Sequence, residues 1–78
     1  MEIKNRLEQV FRKLFNNNAI EIQPATVADD VDGWDSITHL ELIMAVEKEF
    51  NIEITGFDVM NLKNVGDLIN LIQRKTSA

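Results

Sequence analysis

Apolar residues at Ile3, Leu7, Val10, Phe11, Leu14 and Phe15 recur every three or four positions. That spacing lines one face of a helix, so the chain should open with an amphipathic helix from Glu2 to about Phe15. Asn16-Asn17-Asn18 follows as its stop. Between Ala19 and Trp34 the period is lost to Pro24, to β-branched Thr26 and Val27 and to a run of acids, which predicts a long ordered loop pinned to the core by Ile20, Ile22 and Val31. A second helix then runs to about Phe50. On a wheel of about 100° per residue, His39, Leu42, Ile43, Val46 and Phe50 fall within an arc of roughly 100°, the width of a core-facing stripe. Ile37, Met44 and Ala45 fall on the far side, interleaved with Glu41 and Lys48 and bordered by Glu47. Thr55-x-x-Asp58 and Asn64-x-x-Asp67 have the spacing of capping boxes with Asp in place of Glu. They predict a short third helix, about Gly56 to Leu62, and a fourth from Val65 to about Arg74 with Val65, Leu68, Ile69 and Ile72 inward. Thr76-Ser77-Ala78 should fray.

Composition narrows the means of stabilisation. A chain of 78 residues is expected to form one domain, residues 1–78, near the size at which many folds require disulfides, metals or partners. With no cysteine and a single histidine it has neither disulfides nor thiolate metal sites, and a zinc site is disfavoured. The 45% hydrophobic content must supply the core, with a net stability of about 5 kcal/mol. The longest apolar run, Leu42 to Val46, is far short of the roughly 18 residues that span a bilayer, and the N-terminus lacks a signal-peptide pattern. A soluble, cytoplasmic monomer is the expectation.

Charge is unevenly distributed. The net charge of -5 and the scattered basic residues argue against nucleic-acid binding. Asp29, Asp30, Asp32, Asp35, Glu41, Glu47, Glu49 and Glu53 face Lys48 alone within one segment, while the remainder is slightly basic. Such runs usually keep a small protein soluble. Here they surround one hydroxyl at a helix start, Ser36, and read as a docking surface for basic partners.

Serine at a helix start is ordinarily a cap. Its setting here is more specific: Gly33-Trp34-Asp35-Ser36-Ile37, then Glu41-Leu42, giving Asp-Ser-Ile-x-x-x-Glu-Leu. This closely resembles the phosphopantetheine attachment motif of the acyl carrier proteins and related carrier domains. Residues 33–50 resemble the family's second helix, Ile52-Glu53-Ile54 resembles the segment after it, and one helix before Ser36 and two after it account for nearly the whole chain. The resemblance implies an all-α, four-helix acyl-carrier-like bundle with a long first loop and a short third helix. It implies a carrier and not a catalyst. A phosphopantetheinyl transferase, bringing coenzyme A and a divalent metal, would attach 4'-phosphopantetheine to Ser36, and acyl groups would ride on the terminal thiol as thioesters to partner enzymes of fatty acid, polyketide or related biosynthesis. The free amides and positive dipole end of the helix would suit the phosphate.

By the same resemblance, Asp35, Ile37, Glu41, Met44 and Glu47 form the recognition surface for the transferase and for acyl-loading and acyl-processing enzymes with basic docking patches. Asp35 could also meet the transferase's metal, Gly33 permits the turn, and Trp34 covers the apolar side of the loop. His39, Leu42, Ile43, Val46 and Met60 line or border an acyl cavity. Thr38 and Lys48 stand where fatty-acid-synthesis carriers often have acids, and Asp58 is the one acid of the third helix, so the pathway is left open.

Three rival readings use the same residues. A Ser36-His39-Asp35 hydrolase is geometrically poor, because Asp35 cannot orient His39 while His39 serves Ser36 from the same turn, and no oxyanion hole is evident. An EF-hand loop counted from Asp30 places Asp32, Ile37 and Glu41 correctly but puts Trp34 at a ligand position and Asp35 where glycine is needed. A non-covalent acidic helical interaction module is the alternative from a different functional class.

Overall fold

Leu7 and Phe11, one helical turn apart, have no exposed surface, and the rest of the core assembles on them. The computed structural model describes residues 2–76. It contains α1 (Glu2–Leu14), α2 (Ser36–Phe50), α3 (Gly56–Met60) and α4 (Val65–Thr76), with a 3-10 turn at Ala28–Asp30 in the first loop, and no strand among the described residues. α1 packs against α2 and α4. α2 contributes Leu42, Ile43, Val46 and Phe50, the stripe expected from its period with His39 half-buried at its edge. From α4 come Val65, Leu68, Leu71 and Ile72. Leu71 thus takes an inward place that the spacing did not assign, and Ile69 is only half-buried. At about 1.5–3 kcal/mol for each fully buried large aliphatic or aromatic side chain, these few residues carry most of the favourable energy.

Asparagine ends two helices. Asn16 and Asn51 adopt left-handed backbone, at φ 51° and 54°, which asparagine tolerates better than most residues. At the far end of α2, the Arg6 guanidinium donates to the Glu49 carbonyl at 2.7 Å and to its carboxylate at 3.0 Å and lies 4.5 Å from the Phe50 ring centre. α3 stops at Met60, short of the expected Leu62, because Asn61 and Leu62 donate to carbonyls three residues back and close a tight turn. Its Thr55–Asp58 box forms in both directions. Asp58 also pairs with Lys75 at 3.2 Å. The Thr55 amide, which donates to the Asp58 carboxylate, and the Lys75 ammonium keep the Asp58 carboxyl below its ordinary range. The fourth helix starts differently from expectation: Asn64 accepts from the Asp67 amide, whereas the Asp67 carboxylate accepts from the amide of Lys63. α4 continues to Thr76, whose hydroxyl donates to the Ile72 carbonyl at 2.8 Å. Ser77 and Ala78 lie outside the described residues.

The first loop is long but tied on both sides. On α1, Glu8 accepts the Ile22 amide at 3.0 Å, Arg12 donates to the Ile20 carbonyl at 2.8 Å, and the two side chains pair with each other at 3.2 Å. Ile22 and Val31 are buried and Ile20 half-buried, as their pinning role requires. On α4, the amides of Val65 and Gly66 donate to the carbonyls of Thr26 and Pro24 at 2.9 and 2.8 Å. The loop backbone therefore satisfies helix-start donors that would otherwise lack partners. Its last residues fold back over α1, where Trp34 meets Phe11 edge-on at 5.1 Å and stacks on His39 at 5.9 Å. The indole N–H donates to His39 Nδ1 at 3.1 Å, which assigns the imidazole proton to Nε2. Burial pushes the His39 pKa below its ordinary value.

Two outcomes follow from these ties. A Cβ on Gly66 would lie 2.9 Å from the Pro24 carbonyl oxygen, the same atom that accepts the Gly66 amide, so neither can withdraw without loss of the bond. Gly66→Ala should lower stability by about 1–2 kcal/mol in urea unfolding with an unchanged slope, the strain outweighing the better helix propensity; equal or higher stability would show that the loop yields freely. Because His39 is depressed in the folded state, the unfolded chain takes up its proton first. Its contribution should be complete above about pH 6.5, decline as pH falls from there towards the folded value, and then level off. Asp58 acts lower, its contribution lost as pH falls from about 3.8 through its depressed folded value. Melting from pH 8 to 5 should therefore show a slope in the wild type that His39→Gln lacks, and a slope retained in the variant would assign it elsewhere.

Candidate functional site

The start of α2 is built by a division of labour among neighbouring residues. Gly33 turns the chain at φ 88°, a conformation that costs any residue with a Cβ. Asp35 follows in extended backbone as the cap, and its Oδ1 accepts the amides of Ile37 and Thr38, both at 3.0 Å. Thr38 reciprocates, its hydroxyl accepting the Asp35 amide and donating to the Gly33 carbonyl, each at 2.7 Å. Threonine thus does here what Glu or Gln usually does at the third position of a capping box. The Thr38 amide, with that of Ile37, keeps the Asp35 carboxyl below its ordinary pKa.

Ser36 is consequently the first residue of the helix and not its cap. It is exposed, and among the described residues its hydroxyl makes no hydrogen bond. The amides of Ile37 and Thr38 are occupied by Asp35, so the expected welcome for a phosphate from free helix-start donors is largely absent. No hydrolytic relay is wired either: the Asp35 carboxylate is turned to the backbone, and His39 Nδ1 accepts from an indole. The calcium-loop spacing is likewise dispersed, with Asp30 accepting from the Val27 amide and Glu41 on the second turn of α2. No group of three potential metal-binding side chains occurs among the described residues.

A cavity of about 370 Å³ adjoins Ser36. Trp34 and His39 line it from the loop and α2, Leu62 and Leu68 from the α3–α4 turn and α4, and Lys63 and Asn64 add polar groups. Of the expected cavity residues only His39 belongs to it. Leu42, Ile43 and Val46 are packed into the core cluster shared with residues of α1, α4 and the loops, which leaves none of them on the cavity wall. Met60 is 82% exposed, because a helix of five residues turns it away from the bundle. Leu62, Lys63, Asn64 and Leu68 were not foreseen as neighbours of Ser36, and no local pattern could bring that turn to the start of α2.

The outer face of α2 matches expectation in part. Ile37 and Met44 are 73% and 64% exposed, and Asp35 and Glu41 are exposed beside them. Leu40, 59% exposed, extends the apolar stripe; its wheel position lies between Glu47 and Met44, which was the available signal. Two residues depart from this face. Ala45 is half-buried in a groove against Val10 and Leu14 of α1. Glu47 is half-buried with its carboxylate accepting the Ile54 amide at 2.8 Å, so it anchors the loop between α2 and α3 where a free docking charge was expected. No helix among the described residues is long and apolar enough to cross a membrane.

Comparison with known proteins agrees with this geometry. The family model described as the phosphopantetheine attachment site matches residues 5–72. The acyl carrier protein of Solidesulfovibrio magneticus is 34% identical over 76 residues, 96% of each chain, and that of Acidothermus cellulolyticus is 32% identical over 96% of this chain and 89% of its own. The solution NMR structure of a holo acyl carrier protein from Geobacter metallireducens superposes with a TM-score of 0.89 at 36% identity, covering 96% of this chain and 86% of that one. The chain belongs to the acyl carrier protein family of phosphopantetheine-binding proteins, non-catalytic all-α carriers with a covalently attached 4'-phosphopantetheine that serve partner enzymes in biosynthesis.

Proposed function

We propose that Ser36 is the residue that carries the 4'-phosphopantetheine arm, and that residues 1–78 act as one carrier domain in the cytoplasm. The observation that carries this is the free hydroxyl of Ser36 beside a neighbour that does its capping. The group would add an anionic link and a flexible tail to an exposed oxygen, and Ser36 has both the exposure and the empty hydrogen-bonding capacity to accept it. When bound, the arm supplies a terminal thiol that holds acyl groups as thioesters. This chain's part is presentation: Asp35 and Thr38 fix the first turn, Gly33 brings the loop out of its path, and the Trp34–His39 pair forms the wall of the adjacent cavity.

The exposed stripe of Ile37, Leu40 and Met44 with Asp35 and Glu41 beside it is the proposed docking face for a phosphopantetheinyl transferase and for acyl-loading and acyl-processing enzymes. Apolar side chains flanked by acids suit shallow apolar pockets rimmed by Arg or Lys, where charge speeds encounter and apolar contact holds the complex. Glu47 is the weaker member of this face because its carboxylate is already bound to Ile54.

Incubation with coenzyme A and a broad-specificity phosphopantetheinyl transferase, read by intact mass, should add one arm to the wild type and none to Ser36→Ala. Addition to both would move the site to another residue, and addition to neither would favour a non-covalent interaction module. Glu41→Lys and Met44→Ala should each slow the addition by about tenfold, equivalent to roughly 1.4 kcal/mol of lost docking energy, with helical circular dichroism unchanged. Unaltered kinetics in both variants would remove this face from the docking surface.

A further inference from the structure

An arm on Ser36 would be rooted by a phosphodiester, an anion placed next to the Asp35 carboxylate. The helix start offers it little, since the amides of Ile37 and Thr38 are bound to Asp35. The surrounding segment carries acids from Asp29 to Glu53 with Lys48 as its one cation, and Lys48 borders the groove between α1 and α2, together with Val10 and Ala45. On the helical wheel it stands about 120° from Ser36. The cavity that Ser36 adjoins has a single permanently charged cation in its lining, Lys63 of the α3–α4 turn.

Lys63 is placed and uncommitted. Its backbone amide donates to the Asp67 carboxylate at 3.0 Å, and the next residue, Asn64, accepts from the Asp67 amide at 2.8 Å, which fixes the turn relative to α4. Its ammonium forms no ion pair among the described residues, whereas Arg6, Arg12 and Lys75 are each paired with a carboxylate. Resting on the assignment of the arm to Ser36, we propose that Lys63 is the counter-ion of the phosphodiester and a positioning residue for the arm. Its charge offsets the repulsion from Asp35 and draws the root of the arm towards the Trp34–His39 cavity and away from the exposed Ile37–Met44 stripe. The turn between α3 and α4 then acts as a clip across the start of α2. Because the pair is solvent-exposed, salt should open the clip: the screening length falls to about 3 Å at 1 M ionic strength.

Wild type, Lys63→Gln, Lys63→Arg and the control Lys48→Gln are loaded enzymatically, loading is confirmed by intact mass, and the phosphorus resonance of each loaded protein is recorded by NMR. At low salt the Lys63→Gln resonance should differ from wild type by more than its line width and be narrower, while Lys63→Arg and Lys48→Gln stay with wild type. Raising the ionic strength to about 1 M should carry the wild-type resonance towards the Lys63→Gln position. Identical resonances for loaded wild type and Lys63→Gln, or an equal displacement in Lys48→Gln, would overturn the counter-ion role while leaving Ser36 as the attachment point. Failure of the wild type to load would instead overturn the Ser36 assignment, and with it this inference.

Discussion

The bond from the Asp35 carboxylate to the amides of Ile37 and Thr38 is the constraint on which the functional end of the molecule depends. Asp and Ser are both good helix caps, and they stand side by side. Had Ser36 taken the role, its oxygen would have been turned into the backbone and α2 would have begun one residue later. With Asp35 as cap and Thr38 closing the box from the other side, Ser36 moves to the first helical position with its hydroxyl outward. A rigid first turn and a free oxygen are therefore products of the same interaction.

The rest of the fold serves to keep that turn in place. A short chain without disulfides has one small core, and its loop of some twenty residues could easily detach from it. It is held because α1 and α4 each lend polar groups to its backbone: Glu8 and Arg12 from one side, the amides of Val65 and Gly66 from the other. Trp34 then brings the end of the loop onto Phe11 and His39, so the residue two before Ser36 is anchored to the same cluster that forms the core.

The outer surface shows the opposite tendency. Ile37, Leu40 and Met44 on α2 and Phe57 and Met60 on α3 remain exposed although the core is too small to be generous with apolar area. Single exposed apolar residues are ordinary, but a helical stripe of three beside acids is what supports the docking face proposed above. A carrier must meet several enzymes in turn and leave each of them. Modest apolar contact combined with screened charge suits such exchange better than a large dry interface.

Local periodicity determined the order and approximate limits of the four helices, the inward stripe of α2 and the loop pins Ile22 and Val31, while the Asp-Ser-Ile motif carried the family resemblance. These are relations between residues a few positions apart, and dihedral preference and spacing encode them directly. Tertiary structure decided what depends on distant segments meeting. It gave the Glu47 carboxylate to the Ile54 amide, drew Leu71 inward, left Met60 in solvent and made the Ser36 cavity from Trp34, His39 and the turn around Lys63 in place of Leu42, Ile43 and Val46. A helix period states which face is apolar. Which neighbour uses that face, and how completely, is settled only when the distant segments of the core close upon it.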